Sequence, residues 1–299
     1  MKKISKILVI LSMICCTISC NKDDDNTQQK PYLTSYSYSF FSEEFELSYN
    51  SSNKLIAFET TDPGSSSITR INNEIIRNAE GIVTGVGNAT FTYNSLNQII
   101  EINDGADDGT TQLQYDLQGR FINQNTSYFD GNINETKNLT YDANNRVSKV
   151  IIHVTSSSIN IYHKYDITYD SQNNINNTIL STSSDNITYN VVATNNYTYD
   201  NKENPLKTVL NDMGFSNFYI SPSYQFILFK TINFNYLAAY KLSWISNNNL
   251  TRIETIYTSG GGNITTYDYT YNQYGNPTKV VIIDEEDGTY SKNFFYTIK

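Results

Sequence analysis

The sequence predicts an all-β protein: an antiparallel meander of repeated hairpins forming one large curled sheet, closed or partly closed like a barrel. Three observations carry this expectation. One tight-turn motif recurs along most of the chain, and the segments entering those turns alternate apolar and polar residues with period two. No stretch with a convincing period of 3.6 interrupts them.

The motif is an aromatic residue, usually Asp or Asn, two free positions, Gly or Asn, a polar or basic residue in most copies, and commonly an apolar one. It begins at Tyr49 (YNSSNKLIAF), Tyr93 (YNSLNQIIEI), Tyr115 (YDLQGRFINQ) and Tyr141 (YDANNRVSKV). It returns at Tyr169 (YDSQNNINNT), Tyr199 (YDNKENPLKTV), Trp244 (WISNNNLTRI) and Tyr271 (YNQYGNPTKV). Successive starts lie 44, 22, 26, 28, 30, 45 and 27 residues apart, so the unit is 22 to 30 residues and two intervals are nearly double.

Each motif reads as a hairpin turn. The Asp or Asn accepts from the backbone N–H two residues on. The Gly or Asn three residues later suits the left-handed conformation that ends a type I turn with a bulge. Gly119 and Gly275 take that conformation without strain, and Asn53, Asn97, Asn145, Asn173 and Asn248 at a small steric penalty. The copy at Tyr199 has an extra residue and Glu203 where Gly or Asn belongs, so a wider loop is expected there. The interval from Tyr49 to Tyr93 has room for a degenerate copy around Ile68 to Ile76.

The entering strands alternate. Tyr267, Tyr269 and Tyr271 face one way, and Thr266, Asp268 and Thr270 the other. Ile187, Tyr189, Val191 and Ala193 oppose Thr188, Asn190 and Thr194. Beyond the turn, Val147 and Val150 are an odd number of residues apart, which implies either a bulge or partial cover on both faces. Two strands per unit give roughly 14 to 18 strands, too many to stay flat and open, so a curled single domain is expected.

Residues 1–19 read as an export signal. Lys2, Lys3 and Lys6 precede the apolar run Ile7 to Ile14, which is too short to span a bilayer. TISC ends in Cys20, where a bacterial lipobox places its acylated cysteine, although Thr17 departs from the usual aliphatic residue. NKDDD resembles the acidic tag of surface-exported lipoproteins of the Bacteroidota type. Cys20 is the expected lipidation site, 20–31 an acidic flexible tether, and 32–299 a single β domain. Two or more acyl chains give stable anchoring. The alternative is an ordinary secretory signal cut nearby.

All three cysteines, Cys15, Cys16 and Cys20, lie in this segment, which leaves the body without disulfide, thiolate ligand or thiol nucleophile. The formal charge is −9, and removing Lys2, Lys3 and Lys6 leaves 18 basic against 30 acidic residues, or −12. Such a surface opposes nucleic acid.

Asn211 to Trp244 is the densest apolar stretch after the signal. It is either a lid, plug or ligand-binding loop carrying Phe215, Phe218, Tyr219 and Tyr224, or a segment that completes the core. The acidic turn DGADDG offers Asp104, Asp107 and Asp108 to calcium, and DEEDG at 284–288 is similar. Neither has the full ligand series, and both fit ordinary hairpin loops. His153 and His163 fall on neighbouring strands where they could approach each other, yet no ligand joins them. No nucleophile elbow, zinc-protease motif or phosphate loop occurs, so no enzyme activity and no cofactor is expected.

The motif resembles the YD repeats of RHS-type proteins, whose Y-D-x-x-G-R units build wrapped β-shells; only YDLQGR at Tyr115 to Arg120 is complete. The chain is more similar to a family of Bacteroidota lipoproteins of unknown function with YD-like units and a large porin-like sheet. That resemblance implies a fold and an outer-membrane, cell-surface address, and brings no catalytic residues with it. The expected function is a non-catalytic, lipid-anchored surface module that binds or scaffolds a glycan or polypeptide. An exported hydrolase and an outer-membrane pore are the alternatives; a pore would need an apolar outer band that these Ser-, Thr- and Asn-rich faces do not show.

Overall fold

In the computed structural model, which describes residues 31–38, 43–61, 70–103, 109–128, 131–212 and 246–298, the alternating segments become 18 strands of one antiparallel sheet. The first nine are β1 (Pro31–Tyr38), β2 (Glu43–Tyr49), β3 (Leu55–Thr61), β4 (Arg70–Arg77), β5 (Val83–Val86), β6 (Ala89–Tyr93), β7 (Ile99–Asn103), β8 (Thr110–Tyr115) and β9 (Phe121–Tyr128). Then come β10 (Ile133–Tyr141), β11 (Val147–Ser156), β12 (Asn160–Tyr169), β13 (Ile175–Ser183) and β14 (Asn190–Glu203). A short helix α1 (Pro205–Asp212) precedes β15 (Asn248–Tyr257), β16 (Gly262–Tyr271), β17 (Pro277–Asp284) and β18 (Gly288–Ile298). Each strand pairs with its predecessor and its successor, and β1 pairs with both β2 and β18. The meander is therefore a closed barrel without a free edge.

The turns form as their residues dictate. Asp142 Oδ1 accepts the N–H groups of Asn144 (2.8 Å) and Arg146 (2.9 Å), and Asn145 takes φ 61°. Asn53, Asn97, Asn173, Gly119 and Gly275 are likewise left-handed. Every motif tyrosine of the described strands sits at a register shift, as a bulge at each turn requires. This resolves the Val147–Val150 spacing. Tyr141 lies opposite Val147 and Thr140 opposite Lys149, so Ser148 is the extra residue.

The tyrosines link the units. The Tyr115 hydroxyl donates to the Ile99 carbonyl (2.8 Å), Tyr169 to Val147 (2.8 Å), Tyr199 to Ile175 (2.8 Å) and Tyr141 to Phe121 (2.5 Å). Each acceptor is the first residue after the preceding turn. Outside this girdle, Arg120 Nη1 reaches Asn145 Oδ1 (3.0 Å) and Arg146 Nη1 reaches Asn173 Oδ1 (3.0 Å), each guanidinium lying over the next tyrosine ring. We call this end the near rim.

Three expectations are corrected. The degenerate copy between Tyr49 and Tyr93 is centred on Asn78, not on Ile68 to Ile76. Asn78 Oδ1 accepts from Glu80 and Ile82, Gly81 is left-handed, and Arg77 Nη2 donates to the Leu55 carbonyl (3.1 Å) in the tyrosine's place. A helix does interrupt the strands: Asn204 caps it through Leu206 N–H (3.1 Å), Pro205 opens it, and Leu206 and Val209 are both 3% exposed. Finally, a bulge in β14 whose extra residue is Val192 turns Ala193 inward and leaves Val191 44% exposed, and Ile187 lies in the preceding turn at 83%.

The copy at Tyr199 and the described residues of the next copy, from Ser246 on, prove to be two halves of one turn. β14 pairs directly with β15, with Tyr199 opposite Leu250. Asp200 Oδ1 accepts from Lys202 N–H (2.9 Å) and, across the intervening residues, from Asn249 N–H (3.2 Å). Those are the bonds Asp142 makes to Asn144 and Arg146. The wider loop expected at Tyr199 is thus an insert spliced into a turn whose bonds re-form across it. Asn248, at the start of β15, has no left-handed φ.

Inward side chains are buried in two apolar clusters. One draws on β1–β9, β17, β18 and α1, with Leu55 and Phe58 almost wholly buried; the other on β11–β15, around Val150 and Leu250. Leu139 and Tyr267 pack against both. Burying one such aliphatic side chain contributes about 1.5–3 kcal/mol.

Candidate binding surface

Cys20, Phe215, Phe218, Tyr219, Tyr224, Asp104, Asp107 and Asp108 lie outside the described residues, as does Trp244. The two histidines occupy adjacent strands but opposite faces. His163 faces Ile152 on the inner side, while His153 pairs with Tyr162 on the outer side. The second acidic turn is a folded cap: Asp284 Oδ1 accepts from Glu286 and Asp287 N–H, and Oδ2 takes the Thr265 hydroxyl at 2.6 Å. Its oxygens are engaged by the protein itself. Among the described residues no three His, Cys, Asp or Glu side chains gather as metal ligands.

The interior carries a polar layer as well. Lys137 Nζ lies 2.5 Å from Glu135 Oε1, with both side chains almost wholly buried. Gln124 Nε2 donates to Thr126 Oγ1 (2.9 Å), which also meets Thr111 Oγ1 (3.0 Å). Burial pushes the Lys137 ammonium down, with Glu135 opposing the shift. Burial also lowers His163, again against Glu135. Burial raises the Tyr165 hydroxyl, and Glu135 adds to that rise. Glu135–Lys137 and Gln124–Thr126 run along single strands and Thr111–Thr126 ties β8 to β9, so these polar groups satisfy one another inside the wall, as in a polar core.

The outer wall divides by charge. On β2–β7, Glu46, Glu59, Glu74 and Glu101 point outward, with Glu46 opposite Glu59. The outward positions of β8, β9 and β10 carry no charged residue at all; they are Thr, Gln, Asn and Ser with Ile122 near a bulge. Register sets Gln112 beside Asn125, Asn125 beside Thr136, Thr136 beside His153, and His153 beside Tyr162. The result is one row across five strands. Thr136 Oγ1 donates to Asn125 Oδ1 (2.9 Å), Asn125 Nδ2 to Asn123 Oδ1 (2.9 Å), and Asn123 Nδ2 to Asn138 Oδ1 (2.9 Å). At the row's end the His153 and Tyr162 rings stack at 3.9 Å and 5°, and Asn160 Oδ1 holds His153 Nε2 at 2.8 Å. Sequence reading missed this row. Its signal was the sparsely charged alternation over residues 110–141, where the charged residues are the inward Glu135 and Lys137, Asp116 and Arg120 at the turn, and Asp130 between β9 and β10.

No protein-family model matches the chain, nor does any curated protein sequence. Among solved structures it is similar to a porin-like protein from Bacteroides vulgatus, with a TM-score of 0.46 and 10% identity over 90% of this chain and 99% of that one. It is also similar to a porin-like protein from Bacteroides uniformis, with a TM-score of 0.47 and 14% identity over 89% of this chain and 98% of that one.

Proposed function

We propose that this chain is a non-catalytic, water-facing barrel held at the outer membrane by a lipidated Cys20, facing the cell exterior and binding a glycan or polypeptide. The observation that carries this reading is the distribution of polarity. The inner face is filled with Leu, Ile, Val, Phe and Tyr, while mid-strand outward positions hold Lys164, Asp166, Arg252 and Glu254 in ion pairs of 3.3 and 3.1 Å. A lipid-facing barrel needs the reverse. Lys or Arg at the bilayer midplane costs about 2–4 kcal/mol each. Closure of the sheet is the one feature that favours a pore, and a filled water-facing barrel closes equally well. Leu33 accepts the Tyr49 hydroxyl at the near rim (2.8 Å), so the chain enters the barrel there. The tether therefore joins the barrel at the near rim, which on this reading faces the membrane, with the other rim outward.

Detergent phase partition of the full-length protein tests the reading. Wild type enters the detergent phase, and Cys20→Ala moves to the aqueous phase. A protein beginning at residue 21, without signal or anchor, that stays with detergent would mean that the wall itself is embedded, and would sink the proposal.

A further inference from the structure

We infer that the outer row Gln112–Asn125–Thr136–His153–Tyr162 is a binding site for a neutral glycan chain lying across β8–β12. This rests on the binding-module reading above and names its ligand class and place.

Charge excludes several alternatives. In a chain of net charge −9, β8–β10 form an outer wall with no charged side chain, whereas β2–β7 present four glutamates. Anionic polymers find no unopposed basic cluster here, because the outward lysines of β11 and β12 share Asp166: Lys149 lies opposite it in register and Lys164 is 3.3 Å from it. An extended polypeptide binds a sheet by adding a strand at an edge, and all 18 strands are paired on both sides.

Hydroxyl-rich ligands fit the chemistry that remains. A sugar hydroxyl both donates and accepts, and a primary amide offers two donors and an acceptor with two lone pairs. Asn123 Nδ2 is committed to Asn138 Oδ1 (2.9 Å) and to the Lys137 carbonyl (3.3 Å) and so fixes the row, whereas Asn125 Nδ2 gives one N–H to Asn123 Oδ1 and keeps the second for a ligand, with the amide plane already oriented. Orientation before binding lowers the ordering loss that weakens polar recognition. The stacked His153–Tyr162 pair supplies an apolar aromatic end for the carbon face of a pyranose ring. Neighbouring strands lie about 4.8 Å apart, close to the advance of one hexose along an extended chain, so successive sugars meet successive strands.

The test is native affinity electrophoresis of the full-length protein in detergent micelles. The gels contain mixed-linkage β-glucan, galactomannan, α-mannan, dextran or gelatin. At least one of the four polysaccharides retards wild type. Both Tyr162→Ala and Asn125→Lys, two surface changes of different chemistry, weaken that retardation roughly tenfold. Glu101→Ala on the acidic wall leaves it unchanged. Retardation that survives in either row variant overturns the site, and so does the absence of retardation by all four polysaccharides. Retardation by gelatin alone overturns the glycan assignment while the binding-module reading stands.

Discussion

Removing the Asp200 carboxylate is expected to destabilise the barrel by about 3 kcal/mol and to open the insert. Four groups converge on it. Oδ1 takes the N–H of Lys202 (2.9 Å) and of Asn249 (3.2 Å); Oδ2 takes Asn249 Nδ2 (3.2 Å) and the Tyr271 hydroxyl. The Lys202 bond is exposed, where water replaces the carboxylate, and a lost turn or cap of that kind costs about 1 kcal/mol. The Asn249 and Tyr271 groups are half-buried, and losing a charged acceptor there costs about 2 kcal/mol more. At roughly 2–4 °C per kcal/mol for a protein of this size, Asp200→Ala lowers Tm by about 6–12 °C. Asp200→Asn keeps an acceptor for the two backbone donors and loses about half as much.

A simple turn is the control. Asp142→Ala removes the carboxylate acceptor of two backbone N–H groups and the Arg146 contacts, for about 1–2 kcal/mol. It has no insert to release. Limited proteolysis well below Tm, read by mass spectrometry, therefore separates the two variants. Asp200→Ala accelerates cleavage within 204–247, whereas Asp142→Ala leaves that region as in wild type. If Asp200→Ala lost no more stability than Asp142→Ala and cut no faster within 204–247, the composite turn would be wrong.

The buried Glu135–Lys137 pair predicts a non-additive cycle. Lys137→Met alone strands a buried carboxylate and costs about 3–5 kcal/mol, while Glu135→Leu with Lys137→Met is close to wild type in urea midpoint; a double variant as weak as the single would refute this. His163 has its folded pKa lowered, so the unfolded chain binds the proton more readily, and stability falls as pH drops through the ordinary value of 6.5. His163→Gln flattens urea midpoints between pH 7 and pH 5, above the range where carboxylates titrate, and an unchanged slope would count against burial as the cause. Gly119 has φ +76°, and an added Cβ would meet Gln98 Nε2 at 3.1 Å. Gly119→Ala costs about 1–2 kcal/mol in thermal unfolding, and Gly119→Asn distinctly less, because four equivalent turns already hold Asn there.

Local chemistry made the turns legible. Asn or Asp beside a left-handed Gly or Asn states its own geometry within six residues, and the tyrosines alternate visibly. What escaped depends on partners distant in sequence. The Asn78 turn was misplaced because Arg77 does the tyrosine's work through a guanidinium rather than a hydroxyl. Trp244 was counted as a full copy because its following residues supply the exit half of a turn whose entrance is Asp200. The α1 helix is only two turns long, although Asn204, Pro205 and the Leu206–Val209 spacing announce it. The outer row was invisible for a stronger reason. Gln112, Asn125, Thr136, His153 and Tyr162 are 9 to 17 residues apart, and only the register of four successive hairpins aligns them.

The same register also governs how the barrel is filled. Eighteen strands enclose more space than one layer of side chains fills when the barrel is round, yet Leu55, Val150 and Leu250 on its inner face have no measurable exposure. An apolar lumen open to water would forfeit that burial. Large residues therefore have to meet across the interior, and the tyrosine girdle meets this need at the near rim with hydroxyls that end on backbone carbonyls instead of in solvent. The α1 helix adds to the filling. It leaves β14, yet Leu206 and Val209 pack with the β17–β9 sector rather than with the β11–β15 cluster beside it. A turn that opens to admit an insert and then re-forms its bonds gives the chain a way to reach the interior without breaking the ring.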